Sequence, residues 1–389
     1  MKRVRFSINH FPSTTLRQFA LQCRVSEKGG VVFRLSKTME TKNTPAKRPT
    51  MLDVARLADV SVGTVSAVVN DCTTVRPRLR KRVEEAMAAL DYHPNQIARS
   101  LKLQRTHTIG MVIPDVANPF FTSVIRGVEM EGKRCGYSVI LSDANDGPQE
   151  ERRQLGVLFS HRVDGVLISS SNYHAAEDRL TRRRFPIVFF DRTPRGFKGD
   201  AVLTDNLMAA YRAVRYLIQL GHRRIAIIAA GFDFSIVTDR VEGYRKAMQE
   251  AGLAIPAPYF QLGDFTLASG YRCGLELLRL PDPPTAVFPC NSLMTLGFMG
   301  ALAEHRIACP GQISVVGFDD FEWAASFNPP LTTVAQQTCE MGRRAMGMLL
   351  QRIESPRPEP HSEQGQVIVL EAELRVRGST GPPPCNSRS

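Results

Sequence analysis

The spacing of apolar residues changes character near residue 108, and that change divides the chain. Over residues 50–90 apolar positions recur at helical spacing, whereas beyond 108 short apolar runs alternate with longer amphipathic stretches. In residues 50–70, Thr50 and Asp53 stand three apart, as a helix N-cap and its capping-box partner do. Val54, Ala55, Leu57 and Ala58 then form one face of a short helix. Asp59-Val60 interrupts it. Ser61 can cap a second helix, with Val65, Val68 and Val69 inward and Val62, Gly63, Thr64, Ser66 and Ala67 outward. Pro77 opens a third helix, in which Leu79, Val83, Ala86 and Leu90 complete the core and Arg78, Arg80, Lys81 and Arg82 face away. Two short helices joined by a tight turn make a helix-turn-helix, whose second helix fits the DNA major groove. An ordinary pair of core helices has the same spacing, so the pattern alone leaves both readings open.

Beyond residue 108 the strand candidates are 109–113, 139–141, 166–168, 187–190, 201–203, 225–228, 286–288 and 314–318. Helical patterns separate most of them, among them 121–135, 207–220 and 268–280, and Gly136 and Gly221 sit where glycines terminate helices. This predicts a doubly wound α/β region, with ligands beyond the carboxyl ends of the strands. Residues 1–48 are basic and polar without clear periodicity, which predicts a disordered extension. The stretch 95–102 has marginal helix potential alone and can serve as a segment that orders only when bound.

Charge sharpens the division. The chain of 389 residues carries a net +12, and residues 1–105 hold 20 Lys+Arg against 8 Asp+Glu. The remainder is neutral, so the whole excess lies at the end with the candidate groove-reading helix, as phosphate contact requires. A solvated basic face gives the same count. The 8 cysteines include no C-x-x-C pair and the 8 histidines no metal-ligand spacing, which fits reduced thiols and no metal site. No apolar run approaches a membrane span, and the basic N-terminus lacks the apolar segment of a secretory signal. A cytoplasmic protein with no cofactor follows.

In order along the chain stand DVARLADVSVGTVSAVVN, YHPNQIARSL, NPFF, VDGVLI, FFDR, DN, GHRRIAII, DRVEGY, ISVVGFDD and NPPLTTV. With these, residues 50–380 resemble the LacI/GalR family of transcriptional regulators. The resemblance implies a multidomain α plus α/β fold. Its parts are an N-terminal three-helix helix-turn-helix domain, a hinge helix and a two-lobed, doubly wound core like that of periplasmic sugar-binding proteins. The boundaries expected are 49–94 for the head, 95–106 for the hinge and 107–378 for the core, followed by a disordered tail over 379–389. Within the core, one lobe takes 107–206 plus 336–365 and the other 207–335 plus 366–378.

The resemblance also assigns residues. DNA contacts fall on Thr50, Val62, Gly63, Thr64, Ser66, Ala67 and Asn70 in the head, and on Asn95, Ala98 and Leu101 in the hinge. Leu101 matches a leucine that wedges between base steps in the minor groove. Gly63 and Ala67 stand where relatives often carry polar or Arg side chains, which reduces base-edge hydrogen bonding and shifts discrimination toward methyl contacts and DNA shape. Effector contacts fall on Asn118, Phe120, Phe121, Asp191, Arg192, Arg240, Phe265, Asn291, Asp319 and Gln336. Aromatic faces and forked polar groups suit a small sugar, a pentose above all. Ser292 departs from the Asp usual after the Asn.

The expected function is a homodimeric repressor that binds a pseudo-palindromic duplex and changes its grip when a monosaccharide fills the cleft. A stand-alone sugar-binding protein and a sugar-modifying enzyme are the alternatives. The first lacks an export signal. The second lacks a G-x-G-x-x-G after the first strand, a P-loop and a nucleophile elbow, and no catalytic residue is assigned.

Overall fold

The computed structural model describes residues 19–25, 31–37, 49–70, 72, 74–93, 105–170, 185–194, 197, 199–231, 235–354 and 365–384. It forms two compact units, residues 1–95 and 96–389. The hinge positions Asn95, Ala98 and Leu101 lie outside the described residues.

The first unit holds an antiparallel pair, β1 (Phe19–Val25) with β2 (Val31–Lys37), and three helices, α1 (Met51–Ala58), α2 (Val62–Val69) and α3 (Pro77–Ala89). The expectation of disorder across residues 1–48 therefore fails for two segments. Both have alternating sequences rich in Val, Phe and Leu, which favours strand pairing. The expected capping box is formed: Thr50 N donates to Asp53 Oδ2 at 2.9 Å and Asp53 N to Thr50 Oγ1. Ser61 caps α2 by accepting from Thr64 N at 3.1 Å. Val54, Ala55, Ala58, Val65, Val68, Val83 and Ala86 make the core, sealed by Tyr92. Leu57, expected inside, is 55% exposed. The short helix turns it past the narrow seam that Val54 and Ala58 already fill.

The second unit contains two parallel-strand sheets. One has the order β13-β7-β6-β5-β3-β4, built from β3 (Thr108–Ile113), β4 (Ser138–Asp143), β5 (Gly165–Ile168), β6 (Ile187–Phe190), β7 (Ala201–Thr204) and β13 (Val367–Leu370). Its helices are α4 (Pro119–Arg134), α5 (Pro148–Ser160) and α10 (Thr338–Glu354). The other sheet has the order β14-β12-β11-β10-β8-β9, from β8 (Ile225–Ala229), β9 (Phe260–Leu262), β10 (Ala286–Pro289), β11 (Ser314–Phe318), β12 (Thr332–Ala335) and β14 (Glu373–Arg375). Around it lie α6 (Asn206–Gln219), α7 (Ser235–Glu250), α8 (Leu267–Leu278) and α9 (Ser292–Glu304). Apart from β14 against β12, every pairing in these sheets is parallel. The inner strands β5, β8, β10, β11 and β12 are buried on both faces, as strands inside a covered parallel sheet are, while the edge strands keep exposed residues.

All eight sequence-predicted strands are present, and Gly136 and Gly221 adopt φ of +74° and +99° after helices α4 and α6. Two boundaries are corrected. Residues 366–370 do not join the C-terminal lobe, because β13 pairs with β7 of the N-terminal lobe in register Leu370↔Thr204. The chain thus crosses between lobes near 205, 336 and 371. The tail expected to be disordered from 379 is knitted in as far as 381. Ser379 is fully buried and donates to the Val315 carbonyl at 2.7 Å, and the Gly381 carbonyl receives Ser314 Oγ at 3.1 Å. Those bonds satisfy the strand-end groups of β11, a pairing that local sequence does not signal.

Between α4 and α10 the packing is closest at two glycines. A Cβ on Gly127 would overlap the Cys339 carbonyl, and one on Gly342 would overlap the Val124 carbonyl. The two helices therefore meet backbone to backbone, and Val124, Val128, Met341 and Ala345 close the seam around them.

Candidate functional site

In the head, α2 presents the expected outward face: Val62 and Gly63 are exposed, and Thr64, Ser66, Ala67 and Asn70 half-buried. Asn70 caps the helix end, its Nδ2 donating to the Ser66 carbonyl at 2.7 Å and reaching Ser66 Oγ at 3.3 Å. Thr64 Oγ1 lies 3.0 Å from Ser61 Oγ. Thr50, at the start of α1, donates its hydroxyl to Asp53 at 2.6 Å. The basic face of α3 is less free than the sequence suggests. Arg82 Nη2 donates to the carbonyls of Ala58 and Asp59 and to Asp59 Oδ2, stapling the left-handed turn (φ +49°) between α1 and α2. Arg80 Nη2 donates to the Cys72 carbonyl at 2.8 Å. Arg82 thus holds the turn of the motif and Arg80 the loop that follows α2, while Arg78 and Lys81 remain exposed.

In the core, all ten residues singled out as effector contacts line one cleft of about 250 Å³, its open mouth included. They come from distant positions because all but Arg240 follow the carboxyl end of a strand or open the next helix. Asn118 caps α4 by accepting from Phe120 N at 3.0 Å. Phe120 and Phe121 occupy the first turn of that helix, edge to face at 5.0 Å. Asp191 and Arg192 follow β6, Asn291 follows β10, Asp319 follows β11 and Gln336 follows β12. Phe265 lies before α8, and Arg240 lies within α7. Ile236 also lines the cleft, one helical turn before Arg240 on the same face. The sequence reading missed it, although its i, i+4 spacing to Arg240 could have signalled it.

Three of these residues adopt left-handed backbone: Asp191 (φ +59°), Phe265 (+69°) and Asp319 (+74°). For a bulky aromatic this costs ~1–2 kcal/mol. The surroundings hold it: Asn291 Nδ2 donates to the Phe265 carbonyl at 2.9 Å, while its Oδ1 caps α9 through Met294 N.

The charges are arranged in partnered sets. Arg240 is 2% exposed; its Nε donates to Asn206 Oδ1 at 2.8 Å, its Nη1 to the Cys290 carbonyl, and its guanidinium stacks 3.6 Å from the Phe318 ring centre. Arg192 donates to Asp146 at 2.7 Å and lies 4.7 Å from the centre of the Phe265 ring, bridging the lobes. Gln336 Nε2 donates to Asp319 Oδ1 at 2.6 Å. Burial pushes the Asp191 carboxyl up to about 6 against the pull of Arg192 and Arg240, and burial likewise raises Asp319. Ser292, the departure noted in the sequence, does not leave a gap in the polar network. Its hydroxyl donates to Asn118 Oδ1 at 3.3 Å across the two lobes. The cleft thus offers carboxylate and amide acceptors, fixed cationic donors and aromatic walls, which is the chemistry that grips adjacent hydroxyls.

Comparison with known proteins agrees with both units. Residues 50–95 match the family model described as bacterial regulatory proteins, lacI family, and residues 214–380 that of a periplasmic binding protein-like domain. The chain is similar to the ribose operon repressor of Escherichia coli (strain K12), 40% identical over 85% of this chain and 99% of that one. It is 36% identical to the HTH-type transcriptional repressor PurR of Pasteurella multocida (strain Pm70), over 85% and 98%. Among solved structures, it matches a lac repressor dimer bound to operator and an anti-inducer. That match has a TM-score of 0.74 at 28% identity and covers 86% of this chain and 100% of that one. A LacI family regulator from Enterococcus faecium with bound ribose gives 0.62 at 29%, covering 71% and 99%. These curated relatives are repressors, not enzymes, and among the described residues no helix is long and apolar enough to cross a membrane. A capped helix-turn-helix and a polar interlobe cleft occur here in one chain, which covers those repressors nearly end to end; the chain belongs to the lacI family of bacterial regulatory proteins.

Proposed function

We propose that this chain is a cytoplasmic, homodimeric repressor whose hold on a pseudo-palindromic operator is set by a neutral aldopentose in the interlobe cleft. The convergence of ten residues, spread from Asn118 to Gln336, on one cleft carries this reading. Arg192 is paired with Asp146, and the charges of both Arg192 and Arg240 are offset by the neighbouring Asp191 and Asp319, which leaves no net positive charge for a phosphate. The carboxylates of Asp191 and Asp319 instead accept from adjacent hydroxyls, Asn118 and Asn291 offer amides, and the phenyl faces cover the C–H surface of the ring. The relatives named for ribose support the same class.

In this reading Val62, Gly63 and Ala67 meet base edges, while Thr50, Thr64, Ser66 and Asn70 reach phosphates. The segment holding Asn95, Ala98 and Leu101 becomes helical in the minor groove when two copies pair on DNA. Sugar and DNA affinities are then reciprocally coupled. The test is a calorimetric screen of aldopentoses, hexoses and their phosphates against the full chain. Operator affinity is then measured with and without each binder, and the oligomeric state by sedimentation. Tightest binding by a pentose, with a changed DNA affinity and a dimer, is the expected result. Tightest binding by a sugar phosphate, or no binding by any sugar, overturns the assignment.

A further inference from the structure

The three crossings between the lobes run side by side and are joined by hydrogen-bonded rungs. Asp205 N donates to the Leu370 carbonyl at 3.0 Å, linking the first crossing to the third. Gln337 Nε2 donates to the Glu371 carbonyl at 2.9 Å, linking the second to the third. The rung between the first and the second is a side-chain pair, with Thr204 Oγ1 donating to Gln336 Oε1 at 2.5 Å. Thr204 is buried and ends β7; it stands behind the cleft and does not line it.

What distinguishes Thr204 is that two cleft residues from the C-terminal lobe reach it by separate routes. Asp319 reaches its hydroxyl, because Gln336 donates to Asp319 Oδ1 while accepting from Thr204. Arg240 reaches its carbonyl, because Arg240 Nε donates to Asn206 Oδ1 and Asn206 Nδ2 donates to the Thr204 carbonyl at 3.0 Å. A ligand that draws Asp319 or Arg240 inward therefore pulls on the end of a strand in the opposite lobe, at the first of the three crossings. Buried polar chains of this kind shift as units, since breaking one member leaves its neighbour unsatisfied.

We propose that Thr204 is a positioning residue that converts cleft occupancy into the angle between the lobes. Resting on the sugar-effector reading above, the proposal separates binding from response. Loss of the hydroxyl leaves the lining intact but frees Gln336 and Asp319 from the N-terminal lobe. The test compares the full chain as wild type, Thr204→Val and Thr204→Ser. Calorimetry with D-ribose gives sugar affinity. Anisotropy on a duplex that the wild type selects from a random pool gives the ratio of DNA affinities with and without saturating D-ribose. Hydrogen exchange on the sugar-free chain reads the crossings directly.

In Thr204→Val, amides of residues 204–206 and 334–336 are expected to exchange about tenfold faster, with those of α1 to α3 unchanged. Sugar affinity stays within about threefold, while the DNA-affinity ratio falls by about fivefold or more toward one. Thr204→Ser, which restores the donor, matches wild type in all three. A valine variant with wild-type exchange at the crossings overturns the proposal, as does a serine variant no better than valine. A wild type that does not bind D-ribose refutes the pentose assignment instead, and the exchange comparison still decides the role of Thr204.

Discussion

Replacing Arg240 by lysine keeps the charge and removes the geometry, which makes it the sharpest probe of the cleft. The guanidinium makes three contacts at once: Nε to Asn206, Nη1 to the Cys290 carbonyl, and its face on Phe318 at 3.6 Å. A lysine ammonium is a point charge on a flexible stem and reaches at most one of the two acceptors. At least one buried acceptor is then left without its charged donor, a cost of ~1.5–3 kcal/mol. The lost stacking in a desolvated setting adds ~2 kcal/mol. Together these amount to ~3–5 kcal/mol, or roughly two to three decades in any equilibrium that needs the ordered site. Asp191 and Asp319 keep a nearby cation, so the loss reports geometry and not bare charge. Calorimetric titration with D-ribose, beside the wild type, should show an affinity lower by about 100-fold or more. A variant that binds within threefold of wild type would show that the fork does not order the cleft, and the site assignment would fall with it.

Protonation of Asp191 gives a second handle. Its carboxyl titrates near 6 in the fold against an ordinary 3.8, so the folded state holds more protons between those values. Stability therefore falls as pH rises from about 4 to 6, and the full cost, ~3 kcal/mol, is present above 6. Asp191→Asn should accordingly raise the core's denaturant midpoint at pH 7.5, yet weaken sugar binding by removing an ionised acceptor; an unchanged midpoint would contradict the burial argument. Wild-type sugar affinity should also decline as pH drops from 7 to 5, read by titration in buffers of matched ionic strength. Thr50→Ala breaks the capping box at α1 and should cost the head ~1 kcal/mol, seen as a lower melting temperature by circular dichroism. Gly127→Ala drives a methyl into the Cys339 carbonyl and should destabilise the core by ~1–3 kcal/mol or more in urea, with a normal melt arguing that α4 and α10 can part freely.

Much of this architecture is legible in the chain because it is local. Capping residues, the inward valines of α2 and the apolar strand runs each announce themselves within a few residues. The lobe of β13 was not legible. Its sequence suits either sheet, and only the long-range register with β7 decides it. Nor was the anchoring of 379–381, whose partners Val315 and Ser314 lie more than sixty residues away. Arg82 reads as part of a basic face, and the carbonyls of Ala58 and Asp59 that occupy it become visible once α1 and α3 are packed. The cleft residues were found through resemblance. Ile236 escaped because a single isoleucine at a helix start resembles any core residue.

The left-handed backbone at Asp191, Phe265 and Asp319 narrows the routes by which this protein can acquire a new effector. Only glycine, asparagine and aspartate adopt such torsions cheaply, so most random codons there would misfold the loop before altering recognition. Asn118 and Asn291 have ordinary torsions (φ −77° and −156°), and Ile236 starts a regular helix. Selection for an altered sensor should gather its substitutions at those permissive positions and leave the three constrained ones untouched.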